Sequence, residues 1–149
     1  MDVFGPAKRS EIMRRVRSED TRPEVAVRKL VSSLGFRYRL HSKALLGHPD
    51  LVFSRLHKVI FVHGCFWHGH SCSGKLPSSN QAYWRTKRAK NVNRDRRIRR
   101  ELHRLGWKSL LVWECQIRAE RTRNLPVTKR AERIFESSVA KIIPQLRDP

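Results

Sequence analysis

Apolar residues first fall into a regular pattern at Val27, Leu30, Val31 and Leu34, recurring at i, i+3, i+4 and i+7. That spacing predicts a helix with one buried side. Thr21-Arg-Pro-Glu24 just before it reads as a capping box with proline in the first turn, and Gly35 supplies the stop. The period then changes to two. Phe36, Tyr38 and Leu40 alternate with Arg37 and Arg39, the mark of a half-buried strand. Gly47-His48-Pro49 is a turn, Asp50–Phe53 a second strand, and Lys58–Val62 a third whose apolar run predicts a central position.

Residues 63–80 form a polar loop, and Gln81 to Leu105 is a basic helix stopped by Gly106. Trp107–Trp113 is a fourth strand. A last helix is expected over Thr128–Leu146, with Ile134, Phe135, Val139, Ile142 and Ile143 as its buried stripe. Before the first clear helix, SEIMRRVRSED admits either a short helix with Ile12, Met13 and Val16 on one side or a mobile arm. Three adjacent strands, a helical crossover and a further strand imply a mixed sheet flanked by helices. The expected organisation is one α/β domain over 20–149 preceded by a basic N-terminal arm over 1–19.

A chain of 149 residues suits one domain, and 39% hydrophobic with 31% charged residues is ordinary for a globular protein. The charge balance is not ordinary. With 33 Lys+Arg against 13 Asp+Glu the net charge is +20, so the field favours a polyanionic partner, nucleic acid first. A ribosomal or merely solubilised basic protein is the alternative that charge alone leaves open. No apolar run approaches the roughly 20 residues of a membrane span, and the N-terminus is too polar for a signal peptide. A cytoplasmic location is expected, where three cysteines stay reduced and form no closed disulfide framework.

Those cysteines have another use. Cys65, His70 and Cys72 stand in a C-x4-H-x-C arrangement, and Cys115 closes the fourth predicted strand. Together they make a Cys3His set, the closed four-ligand kind expected of structural Zn2+. Small buried core cysteines and a surface histidine are the competing reading. A zinc would pin the 63–80 loop to the end of the last strand.

Pro49-Asp50 opens one strand, and the neighbouring strand ends Val62-His63-Gly64. Adjacent strands bring the Asp50 carboxylate near the Val62 main-chain carbonyl, two hard oxygen ligands suited to Mg2+. A metal there would polarise a phosphate. His68 could accept a proton from attacking water, with His63 and Glu24 as secondary partners. Asp50 as a plain turn residue and Glu24 as only a capping glutamate remain alternatives. Phe66 and Trp67 are neighbours in a polar loop and, with Trp84, are candidates to wedge between base pairs, or else cover the zinc site. Residues 85–104 carry only Asp95 and Glu101 among many cations, which points to phosphate contacts, Asn91 and Arg94 among the DNA-binding candidates.

GHPDLVF, VIFVHGCFWHGHSC, YWRTKRAKNVNRDRR and GWKSLLVWEC together resemble the very short patch repair (Vsr) endonucleases, over roughly residues 8–118. The resemblance implies a restriction-endonuclease-like fold and a strand nick 5′ to the thymine of a T:G mismatch in duplex DNA. It implies Asp50 and the Val62 carbonyl as Mg2+ ligands, His68 as general base, His63 and Glu24 in support, and Asp95 orienting an active-site histidine. It likewise implies Cys65, His70, Cys72 and Cys115 as zinc ligands, Phe66, Trp67 and Trp84 as intercalating aromatics, and an N-terminal arm that clamps DNA. A monomer suffices for one nick, and accessory mismatch-repair proteins are expected partners. Val62 stands where threonine is common, Gly69 and Ser71 interrupt the histidine-rich run, and FVH carries neither the acid nor the lysine of related PD-(D/E)xK nucleases. A nuclease cutting paired DNA and a non-catalytic zinc-containing DNA-binding module are the alternatives.

Overall fold

A computed structural model describes residues 8, 11, 19–73 and 76–118. The expected arm over 1–19, apart from residues 8, 11 and 19, and the expected helix over 128–146 lie outside the described residues. Thr21 caps helix α1 (Arg22–Ser33) by accepting the Glu24 N–H, as the capping box predicts. Strands β1 (Arg39–Leu40), β2 (Leu51–Phe53) and β3 (Lys58–His63) follow. Helix α2 (Gln81–Arg104) then crosses to β4 (Lys108–Trp113), and a short helix α3 (Glu114–Arg118) closes the described chain.

The sheet runs β1-β2-β3-β4, with the first two pairings antiparallel and β3–β4 parallel. This is the expected mixed sheet, and β3 is one of its inner strands. Its apolar run is explained by cover on both faces. Leu51, Phe53 and Ile60 pack with Val27 and Val31 of α1 on one side; Val52, Val59 and Phe61 pack with Leu102 of α2 on the other. The strand period of two thus splits one continuous run between two cores.

Two expectations change. The strand over 36–40 shrinks to Arg39–Leu40, because Phe36 and Tyr38 turn their rings edge-on to Phe53, at 6.2 and 6.1 Å between centroids. The Tyr38 hydroxyl also lies 3.0 Å from Ser32 Oγ, tying this segment to α1 rather than to a ladder. Cys115 does not close the fourth strand. β4 ends at Trp113, whose N–H donates to Gln116 Oε1 at 2.8 Å, and Cys115 sits in the first turn of α3.

Candidate active site

The β2–β3 register sets the position of Asp50. Leu51 pairs with Ile60, so Asp50 lies just outside the ladder, opposite the end of β3, with its N–H donating to the Ile60 carbonyl at 3.1 Å. Its side chain turns to the same strand: Val62 N–H donates to Asp50 Oδ2 at 2.7 Å. A strand residue's N–H and C=O leave the same edge, so the Val62 carbonyl also projects towards Asp50. No hydrogen bond within the described residues reaches the second oxygen, Oδ1. Burial lifts the Asp50 pKa from 3.8 to about 6; the Val62 hydrogen bond opposes that rise and the nearby charge of Glu24 adds to it.

The turn before Asp50 is held by packing. Gly47 has φ +82, and a Cβ there would meet Ile98 Cγ2 of α2 at 2.5 Å. Only glycine combines this left-handed backbone with that approach to the helix. Pro49 behind it is fully buried.

Across the cleft, His68 Nδ1 lies 2.5 Å from Asp95 Oδ2 of α2. A carboxylate only accepts, so the Nδ1 of His68 carries a proton, and in the neutral ring Nε2 is the nitrogen left with a lone pair. Burial pushes the Asp95 pKa up, but its hydrogen bond to His68 and the neighbouring positive charges outweigh that and hold it below the ordinary range. His63 stacks on His68, ring centroids 3.8 Å apart and 15° from parallel. Burial first, then His68 beside it, lowers the His63 pKa to about 3, so His63 stays neutral. Glu24, Asp50, Val62, His63, His68 and Asp95 all line one cleft of about 420 Å3, with Arg94 and Arg99 at its wall. Sequence elements far apart in the chain thus meet where a base, an acid ligand and cations could act on one phosphate.

The ligand atoms of Cys65, His70, Cys72 and Cys115 lie within 4.8 Å of one another. His70 Nδ1 is 2.9 Å from Cys72 Sγ and 3.6 Å from Cys115 Sγ, and the Cys115 N–H donates to Cys65 Sγ at 3.3 Å. Burial raises the Cys65 thiol to about 12 and pushes Cys115 up, whereas the His70 contact lowers Cys72. Three thiols so close ionise together only around a cation, and sulfur with imidazole suits zinc. The donor set fits a structural Zn2+ linking the post-β3 loop to α3.

Phe66 and Trp67 are half-buried and stand edge-on to one another, centroids 5.1 Å apart. Trp84 is only 6% exposed beneath them, with Phe66 at 5.5 Å and Trp67 at 6.0 Å, so in this conformation it supports the pair. Asn91 donates to the Trp67 carbonyl at 3.0 Å and so anchors the aromatic loop to α2, while Arg94 is 55% exposed. Sequence reasoning missed Tyr83, which is 51% exposed against Trp84, and did not single out within the basic run Lys87, whose Nζ lies 5.5 Å from the Trp67 and Tyr83 rings. It missed Arg28 and His41 as well, which stand beside Glu24. The i, i+4 spacing of Glu24 and Arg28 was the available signal; nothing local announced His41.

A family model described as DNA mismatch endonuclease Vsr matches residues 1–74. The chain is 46% identical to the Type II nicking enzyme V.NmeAIP of Neisseria meningitidis, over 78% of this chain and 84% of that protein. It is 49% identical to the Type II nicking enzyme V.XorIIP of Xanthomonas oryzae, over 78% and 86%. With the DNA mismatch endonuclease Vsr of Escherichia coli K12 it shares 41% identity over 88% of this chain and 85% of that one. The catalytic domain of homing endonuclease I-Bth0305I aligns with a TM-score of 0.47 at 20% identity, over 83% of this chain and 99% of that domain. With most of its length matched to endonucleases at such identity, the chain belongs to the Vsr family of DNA mismatch endonucleases.

Proposed function

We propose that this endonuclease nicks one strand of duplex DNA 5′ to the thymine of a T:G mismatch, by Mg2+-dependent hydrolysis on a restriction-endonuclease-like scaffold. The convergence of Asp50, Val62 and the His68–Asp95 pair in one cleft carries this reading. Mg2+ held by Asp50 and the Val62 carbonyl would polarise the scissile phosphate and offset charge developing on the leaving oxygen. His68 Nε2 removes a proton from the attacking water, and Asp95 steadies the imidazolium that results. A neutral His63 stacked on that ring keeps a second cation out of the stack. Arg94 and Arg99 take phosphate oxygens beside the cut, as guanidinium forks do well.

Phe66 and Trp67, backed by Trp84, wedge into the stack next to the mispair, which is easier to unstack than a paired step. The basic arm over 1–19 clamps the duplex, and Zn2+ on Cys65, His70, Cys72 and Cys115 fixes the aromatic loop. The enzyme works as a monomer in the cytoplasm, alongside accessory mismatch-repair proteins. Relatives named Type II nicking enzymes support a second reading, a nick at a fully paired recognition sequence. Incubating a T:G heteroduplex library with randomised flanks beside its fully paired counterpart, with Mg2+, separates the two. Cutting confined to the mismatched strand supports the proposal. Equal cutting of both libraries refutes it.

A further inference from the structure

Asp50 is not the only candidate for metal: His63, His68 and Asp95 converge in the cleft, and a further set stands beside it. Asp20, Glu24 and His41 present ligand atoms within 4.8 Å of one another, close to the spacing that one hexacoordinate cation requires. Yet a guanidinium already stands among them. Arg28 Nη1 donates to Asp20 Oδ1 at 2.6 Å; its Nη2 reaches Glu24 Oε2 at 3.2 Å and His41 Nε2 at 2.8 Å. Arginine only donates, so this contact fixes His41 as the acceptor at Nε2, with its proton on Nδ1.

Glu24 is engaged at both oxygens. Its Oε1 takes the Thr21 hydroxyl at 2.7 Å, and its Oε2 takes both the Asp20 N–H at 2.9 Å and Arg28. The carboxylate is 3% exposed, so its charge needs a partner inside the protein. The arginine is placed at some cost, since its Nε is buried without a hydrogen-bond partner. Asp50 differs: among the described residues no hydrogen bond reaches its Oδ1, and Asp50 lines the same cleft.

We propose that Arg28 is a resident cation that occupies the Asp20–Glu24–His41 set and excludes divalent metal from it, and so acts as a positioning residue for the metal held at Asp50. Within the set Asp20 and Glu24 carry two negative charges, and the guanidinium offsets one of them. Without Arg28 the set would hold two negative charges and open ligand atoms. The inference rests on the metal role given to Asp50 above, but its test reads ion stoichiometry in the absence of DNA. Failure of mismatch-directed nicking would leave it untouched.

The experiment counts Mn2+ on the zinc-loaded, DNA-free protein by electron paramagnetic resonance of the free ion. The wild type should bind one Mn2+, lost in Asp50→Asn. Arg28→Met should bind two, the second lost again in the Arg28→Met/Glu24→Gln double variant, and Arg28→Lys should return the count to one. Arg28→Gln, which keeps a donor for Glu24 without the charge, serves as the second variant if methionine prevents folding, and should also bind two. An unchanged count in the folded methionine or glutamine variant overturns the proposal. A wild type that already holds two Mn2+, one of them lost in Glu24→Gln, overturns it as well.

Discussion

Replacing Asp50 with asparagine should make the Mg2+-free protein more stable. Burial disfavours the ionised carboxyl and lifts its pKa from 3.8 to about 6. That rise is equivalent to roughly 3 kcal/mol at about 1.36 kcal/mol per pH unit. Solvent in the open cleft screens part of it, so about 1–2 kcal/mol is expected. Because the folded-state pKa lies above the unfolded one, the carboxyl favours folding most below 3.8, and that contribution is lost as pH climbs through about 6. Asparagine carries no charge and keeps an oxygen for the Val62 N–H. Its advantage should therefore be near its maximum at pH 8 and about half as large at pH 5. Urea denaturation at both pH values, without added Mg2+ and without chelator so that zinc is retained, measures it; at pH 8 the Tm should rise about 2–8 °C. Added Mg2+ should stabilise the wild type and leave the variant unchanged. A variant less stable than wild type at pH 8, or an advantage undiminished at pH 5, would refute the reasoning.

Asp95→Asn should slow nicking roughly 10²-fold with DNA affinity little changed, since it disturbs the His68 tautomer rather than a DNA contact; comparable loss of binding in a mobility-shift assay would contradict that. Gly47→Ala should cost about 2 kcal/mol in urea denaturation, from the left-handed backbone and the collision with Ile98, and wild-type stability would show that the turn yields. Zinc analysis should find about one ion per chain, reduced together with stability in Cys115→Ser; full zinc content in that variant removes Cys115 from the set.

Helix α1 and the inner strands were legible because cap and period agreed: Thr21 with Glu24, the Val27–Leu34 stripe, the apolar run of β3. The cleft was legible because Asp50 and Val62 stand at the adjoining ends of two neighbouring strands, a relation that register alone determines. Tertiary packing hid the rest. Phe36 and Tyr38 alternate as a strand would, but their rings were drawn to Phe53 and the peptide ladder was given up. Trp84 was legible only as a candidate wedge or cover in a basic segment; the packing that sets it on the helix face turned to the aromatic loop is tertiary. Beyond its i, i+4 spacing to Glu24, nothing in the sequence marks Arg28, which meets His41 only because the backbone after β1, with His41 at φ +43, brings that imidazole to it. Such meetings depend on loop paths that periodicity does not encode.

Single-turnover nicking of an end-labelled T:G duplex under saturating enzyme and Mg2+, comparing wild type with Asp50→Asn and His68→Ala, addresses the chemistry itself. Both variants should bind the duplex about as tightly as wild type and leave the thymine strand uncut. A 5′ nick at the wild-type rate from either variant would place the reaction elsewhere than in the cleft between β2, β3 and α2.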